Sequence, residues 1–110
     1  MDIWSVVQTL EGRTLHTLDP SRSSPFTVET VTQRAVALRT VRGTSVHISQ
    51  EKILDCWDML VEQREVDLNI DMHVHLRLGG NASYVAAILA CVPEVIVHTK
   101  PVVLGYRETS

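Results

Sequence analysis

Two cysteines in 110 residues supply little redox chemistry. Cys56 and Cys91 both fall on or beside the apolar stripes of helix candidates, where free cysteine behaves as a small hydrophobe. Both read as buried, reduced thiols of a cytoplasmic protein. Aromatics are scarce, with one Phe, two Trp and two Tyr, which leaves few rings to stack on bases. There is no excess of positive charge. A net charge of -3 and a pI near 5.9 give no global pull towards nucleic acid or an anionic membrane, although a local basic patch is compatible with both. No apolar run approaches the roughly 18 residues that span a bilayer; the longest, Val85 to Val92, stops at Pro93. Met1-Asp2-Ile3-Trp4 has neither the basic nor the apolar region of a secretory signal. The phosphate loop G-x-x-x-x-G-K-[ST], the fingerprint G-x-G-x-x-G and the nucleophile elbow G-x-S-x-G are all missing, so no cofactor is expected.

What is present is an ordinary globular composition, 45% hydrophobic and 21% charged, which places residues 1–110 in one domain. Its clearest pattern runs from Val66 to Leu78. Val66, Leu68, Ile70, Met72, Val74, Leu76 and Leu78 are apolar, and a polar residue fills every gap. Period two predicts a strand with one greasy face. At about 3.3 Å per residue it would be nearly twice the common strand length, so a break or bulge is expected near Asn69-Ile70-Asp71.

Ile3 to Leu10 is rich in β-branched and aromatic residues and predicts a strand, hairpinned across Gly12 to Arg13–Leu18. Asp19 to Pro25, with two prolines and three serines, is a loop. Phe26–Val31, Ala35–Val41 and Ser45–Ile48 predict an antiparallel meander. Ser49 is a good N-cap for a helix carrying Ile53, Trp57, Leu60 and Val61. Gly79-Gly80 ends the long segment, and Asn81 caps a second helix from Ala82 to Val92. That helix is apolar nearly all round, which suits the core centre or a subunit interface. Glu94–His98 and Pro101–Tyr106 close the chain as strands, with Pro101 confining its backbone to an edge or bulge. The order predicts an α+β fold: a mostly antiparallel twisted sheet with two helices packed on one face. Unprotected sheet edges and the apolar second helix together predict a homodimer.

Three groups of residues carry candidate chemistry. Asp71, His73 and His75 would project from one face of a strand, where imidazoles and a carboxylate suit zinc or iron, with His47 or His98 as a further ligand. An exposed polar strand face explains the same residues without a metal. Arg34, Arg39 and Arg42, with Arg13 and Arg22, would line a basic strand face for phosphates; scattered surface arginines are the competing account. Gly79-Gly80-Asn81 before a helix offers free N–H groups to an anion, or is simply a capped turn. Trp4, Trp57 and Tyr84 would wall a hydrophobic ligand pocket, or be packing residues. Paired carboxylates, Asp55 with Asp58 and Asp67 with Asp71, read as solvated.

Gly43-Thr44-x-x-x-Ile48 leading into Ile53-x-x-x-Trp57-x-x-Leu60, and Ser83-Tyr84-Val85-Ala86-Ala87-Ile88-Leu89-Ala90 before Pro93, resemble small uncharacterised bacterial α+β proteins of the kind carried on mobile elements. The resemblance implies an origin only, and transfers no site residue. The function expected is a small, cytoplasmic, non-enzymatic binding or interaction protein that self-associates as a homodimer, its partner another protein or a small molecule. A nucleic-acid-associated regulator and a metal-dependent enzyme or sensor are the alternatives.

Overall fold

The computed structural model describes residues 2–107; Met1 and residues 108–110, which belong to the expected domain and N-terminal reading, lie outside the described residues. The fold is α+β, and its sheets are antiparallel throughout. Its strands form two sheets where one was expected. β1 (Thr14–His16), β2 (Pro25–Val31), β3 (Ala35–Thr40) and β4 (Ser45–Ser49) make a meander in sequence order. β5 (Glu65–Asp67), β6 (Val95–Thr99) and β7 (Val102–Tyr106) make a second sheet with β7 in the middle. Pro101 therefore precedes a central strand and sits in the turn, not within an edge strand.

The first segment is a helix, not a strand. The Asp2 carboxylate accepts from Trp4 N at 3.0 Å and from Ser5 Oγ at 3.1 Å, opening α1 (Ile3–Gln8). Ile3, Trp4, Val7 and Leu10 then fall on one buried side, a helical spacing within a β-rich composition. Six residues do not hold a helix alone. Tertiary packing does so here, helped by Trp4 Nε1 donating to Thr32 O at 2.9 Å. With α1 withdrawn from the sheet, Arg13–Leu18 hairpins forwards, and Leu15 pairs Phe26 in β2.

The meander follows its pattern. Phe26 and Val28 of β2, Val36 and Leu38 of β3, and Ile48 of β4 are buried on one face. Gly43, at φ +83°, makes the β3–β4 turn, where its N–H donates to Thr40 O at 2.9 Å. Ser49 caps α2 (Gln50–Gln63) by accepting from Lys52 N at 3.2 Å, and Ile53, Cys56 and Leu60 are buried. Trp57 meets Tyr106 of β7 edge-to-face, with ring centroids 5.6 Å apart, which seats α2 on the second sheet.

The largest departure is Val66–Leu78. Only Glu65–Asp67 is strand, and Leu68–His75 is a π-helix. Two features end the strand at Asp67. Its partner β7 runs out, since Asp67 pairs Val103 and the turn at Pro101 comes two residues earlier in the chain. The Asp67 carboxylate also accepts from Asn69 N at 2.8 Å and Ile70 N at 3.0 Å, satisfying first-turn donors as an N-cap does. Asp71 Oδ2 returns the contact to Asp67 N at 2.8 Å. A pattern of period two contains every fourth residue. Leu68, Met72 and Leu76 face inwards along the helix, while Ile70 and Val74 are left 58% and 59% exposed.

α3 (Ala82–Leu89) follows a 3-10 turn at Gly79–Asn81. Asn81 makes no side-chain cap hydrogen bond, contrary to expectation. Ala82 and Val85–Leu89 are all buried, so these apolar side chains of α3 are used inside the chain. Tyr84 reaches Phe26 edge-to-face at 5.1 Å, and the π-helix packs on α3. One hydrophobic cluster joins α1, both sheets and the helices.

Candidate functional site

The π-helix alters the expected metal group first. On a strand, Asp71, His73 and His75 would have shared a face. On the helix Asp71 turns to His75, whose Nδ1 lies 3.3 Å from Asp71 Oδ1, while His73 projects elsewhere into a cleft. Among the described residues, no group of three or more His, Cys, Asp or Glu side chains is placed to hold a metal ion. His47 and His98 lie on β4 and β6, in separate sheets.

The arginines are separated as well. Arg34 stands in the β2–β3 turn, at the start of β3, whereas Arg39 and Arg42 lie at its far end. Five strand residues put about 16 Å between Arg34 and Arg39. Arg39 is engaged with Glu29 at 3.1 Å and with Gly43 O at 3.4 Å. These residues do not form one basic face. Trp4, Trp57 and Tyr84 are likewise not brought together: the first packs under the β2–β3 turn, the second on β7 and the third on β2. They are packing residues, although Tyr84 also borders a cavity with Arg42.

What the fold does assemble is a cleft of about 460 Å³, within the usual size range of small-ligand sites. Four chain segments wall it. The β1–β2 loop contributes Thr17, Asp19 and Arg22, the π-helix contributes Asn69 and His73, the Gly79-Gly80 turn leads into Ser83, and the β6–β7 turn presents Lys100. Thr17 is buried and holds the loop: its Oγ1 accepts from Ser24 N at 2.9 Å and donates to Arg22 O at 3.3 Å. Asp19 is the one acid of the lining. Its carboxylate accepts from Ser21 Oγ at 2.8 Å and Ser21 N at 3.0 Å. Those bonds hold its pKa below the ordinary carboxylate value, with Arg22 nearby adding to the effect. Arg22 and Lys100 exceed that single negative charge, and His73 adds a further donor.

Two adjoining cavities continue this sign. One, of about 470 Å³, carries Arg42 beside Gly80, Asn81 and Tyr84. The other, of about 230 Å³, carries Lys52, Arg77 and His47 beside Asn81. Neither has an acidic residue in its lining. Basic side chains therefore surround the Gly79–Asn81 turn in a protein whose net charge is -3.

Burial works against the reactive thiolate at both cysteines. Burial pushes the Cys56 thiol up to about 12, with the Asp71 carboxylate adding to the shift, and burial also raises Cys91. Elsewhere Glu94 is buried, and its Oε2 has no hydrogen-bond partner among the described residues.

Sequence reasoning singled out Arg22, His73 and the Gly79-Gly80 turn, each for a different imagined site. It missed Asn69, Ser83 and Lys100, which lie on separate segments and meet only in the cleft. No helix among the described residues is long and apolar enough to cross a membrane. Compared with protein-family models, with curated proteins and with solved structures, the chain matches none of them.

Proposed function

We propose that this chain is a small, non-catalytic, cytoplasmic binding protein whose cleft takes a small ligand bearing a phosphate or comparable oxoanion. The observation that carries the reading is the convergence of Arg22, Lys100 and His73, from three separate segments, on one cleft whose single acid is already hydrogen-bonded within its own loop. Guanidinium and ammonium groups recognise phosphate by charge-assisted hydrogen bonds, Arg in a planar fork and Lys as a point charge. Ser83 and Asn69 add neutral donors at the walls. Binding is favoured over catalysis because burial shifts both thiols away from their reactive form.

The test is thermal unfolding with inorganic phosphate and with pyrophosphate, each against chloride at matched ionic strength. A ligand that binds the native state raises the midpoint with its concentration. The expected result is a rise for the wild type that is lost in the double variant Arg22→Ala, Lys100→Ala and kept in Arg34→Ala, which lies outside the cleft. An equal response of wild type and double variant, or no response to either anion, removes the reading.

A further inference from the structure

Among the sheet edges, β6 stands apart. β1 and β5 are three residues long, and β5 carries Glu65 and Asp67. β4 runs beside the chain at Arg77 and Leu78, which share a cavity wall with His47 and Ile48. β6 has five residues, Val95-Ile96-Val97-His98-Thr99, and among the described residues no element but β7 packs extensively along it. It has no Lys, Glu, Asp, Arg or Pro, and its register with β7 is unbroken, so the devices that normally blunt an edge are missing from it.

The backbone groups on its free side can be identified. Arg107 N donates to Glu94 O at 2.8 Å, a pair that continues the β6–β7 register. Hydrogen-bonded pairs alternate along an antiparallel ladder. Ile96 and His98 therefore turn their backbone groups towards β7, while Val95, Val97 and Thr99 turn theirs outwards. The Val95 N–H is already taken by Val92 O at 3.0 Å. Among the described residues, the Val95 carbonyl and both backbone groups of Val97 and Thr99 remain.

We propose that this edge pairs with the same edge of a second copy of the chain, antiparallel and two-fold symmetric about Val97. In that register each Val97 N–H donates to the Val97 carbonyl of the other copy, and each Thr99 N–H donates to its Val95 carbonyl. Every outward donor is used, and the occupied Val95 N–H is not needed. Ile96, 41% exposed, lies opposite His98 of the second copy, and Val97 lies opposite Val97. A register shifted by two residues towards the β6–β7 turn is worse: it sets His98 against His98 and places Pro101, which has no N–H, opposite the Val95 carbonyl. The product is a continuous antiparallel sheet in the order β5-β7-β6-β6-β7-β5, with an isologous interface that closes on itself. Lys100 follows β6 directly, so pairing would also steady the turn that walls the cleft, but the proposal does not depend on a ligand there.

Sedimentation velocity on the full chain across a concentration series tests it, beside the variant Val97→Pro. The Val97 N–H faces away from β7, so proline there removes the central inter-copy donors and leaves the β6–β7 bonds in place. The expected result is a concentration-dependent dimer for the wild type and a monomer with an unchanged far-UV spectrum for Val97→Pro. Amide hydrogen exchange on the wild type is the second measurement. The Val97 and Thr99 amides should be slowed at concentrations where the dimer forms and exchange freely on dilution. A wild type that stays monomeric throughout, a folded Val97→Pro that still dimerises, or free exchange of both amides within the dimer overturns the proposal. If Val97→Pro does not fold, the exchange result decides.

Discussion

The π-helix makes an unequal pair of two residues that the alternating pattern treats alike. Met72 and Val74 both occupy apolar positions between Val66 and Leu78, and on a strand both would lie on the buried face. In the structure Met72 is fully buried and Val74 is 59% exposed. Met72→Ala removes three heavy atoms from a packed site and should cost roughly 2–5 kcal/mol, from lost transfer energy plus the cavity. Val74→Ala should stay within about 0.5 kcal/mol, as surface changes do. Unfolding entropy of roughly 2.1 cal/mol/K per residue makes each kcal/mol worth about 4 °C in a chain of 110 residues. The two midpoints should therefore differ by roughly 6 °C or more, read by circular dichroism, with the same ranking in urea. Were the segment a strand, Val74→Ala would lose about 1.6 kcal/mol for two buried methyl groups before any cavity cost. Comparable losses at the two positions would refute the helical reading.

Two further outcomes follow from local geometry. Ser49→Ala removes the acceptor for Lys52 N and should lower stability by about 1 kcal/mol, while Ser49→Asp restores it; urea midpoints of the three proteins check this. The second concerns Cys56, whose thiol is raised by burial from 9.0 to about 12. Between those values the unfolded chain binds fewer protons than the native one, so this contribution is intact below about pH 9 and is lost as pH rises towards 12. The slope is roughly 1.4 kcal/mol per pH unit. From about pH 9 to about pH 10.5 the wild type should lose roughly 2 kcal/mol more than Cys56→Ala in urea titrations, and equal slopes would contradict the shift.

Much of the meander and of α2 could be read directly, because there local signals and packing agree. Ser49 is both a preferred cap residue and the observed cap. Gly43 is both a turn residue and a positive-φ residue. Phe26, Val28, Val36 and Leu38 alternate and are buried. The misreadings have physical causes. In Ile3–Leu10 the β-branched residues suggested a strand, but Ile3, Trp4, Val7 and Leu10 also form a helical stripe, and packing under the β2–β3 turn chose it. In Val66–Leu78 the period of two concealed a period of four. The deciding facts, the short reach of β7 and the Asp67 carboxylate, lie in a distant partner and in one polar side chain.

The site was less accessible than the fold for the same reason. His73 was visible as a histidine, Arg22 as a basic residue and Gly79-Gly80 as a turn, yet each belonged to a different imagined constellation. The sequence alone determined the α+β class, the antiparallel meander and the capped α2, since these rest on contacts between chain neighbours and on short connections. Tertiary structure decided the division into two sheets, the π-helix and the company each charged side chain keeps. Those depend on where a partner strand ends and which turns fold back together, and no local pattern encodes either.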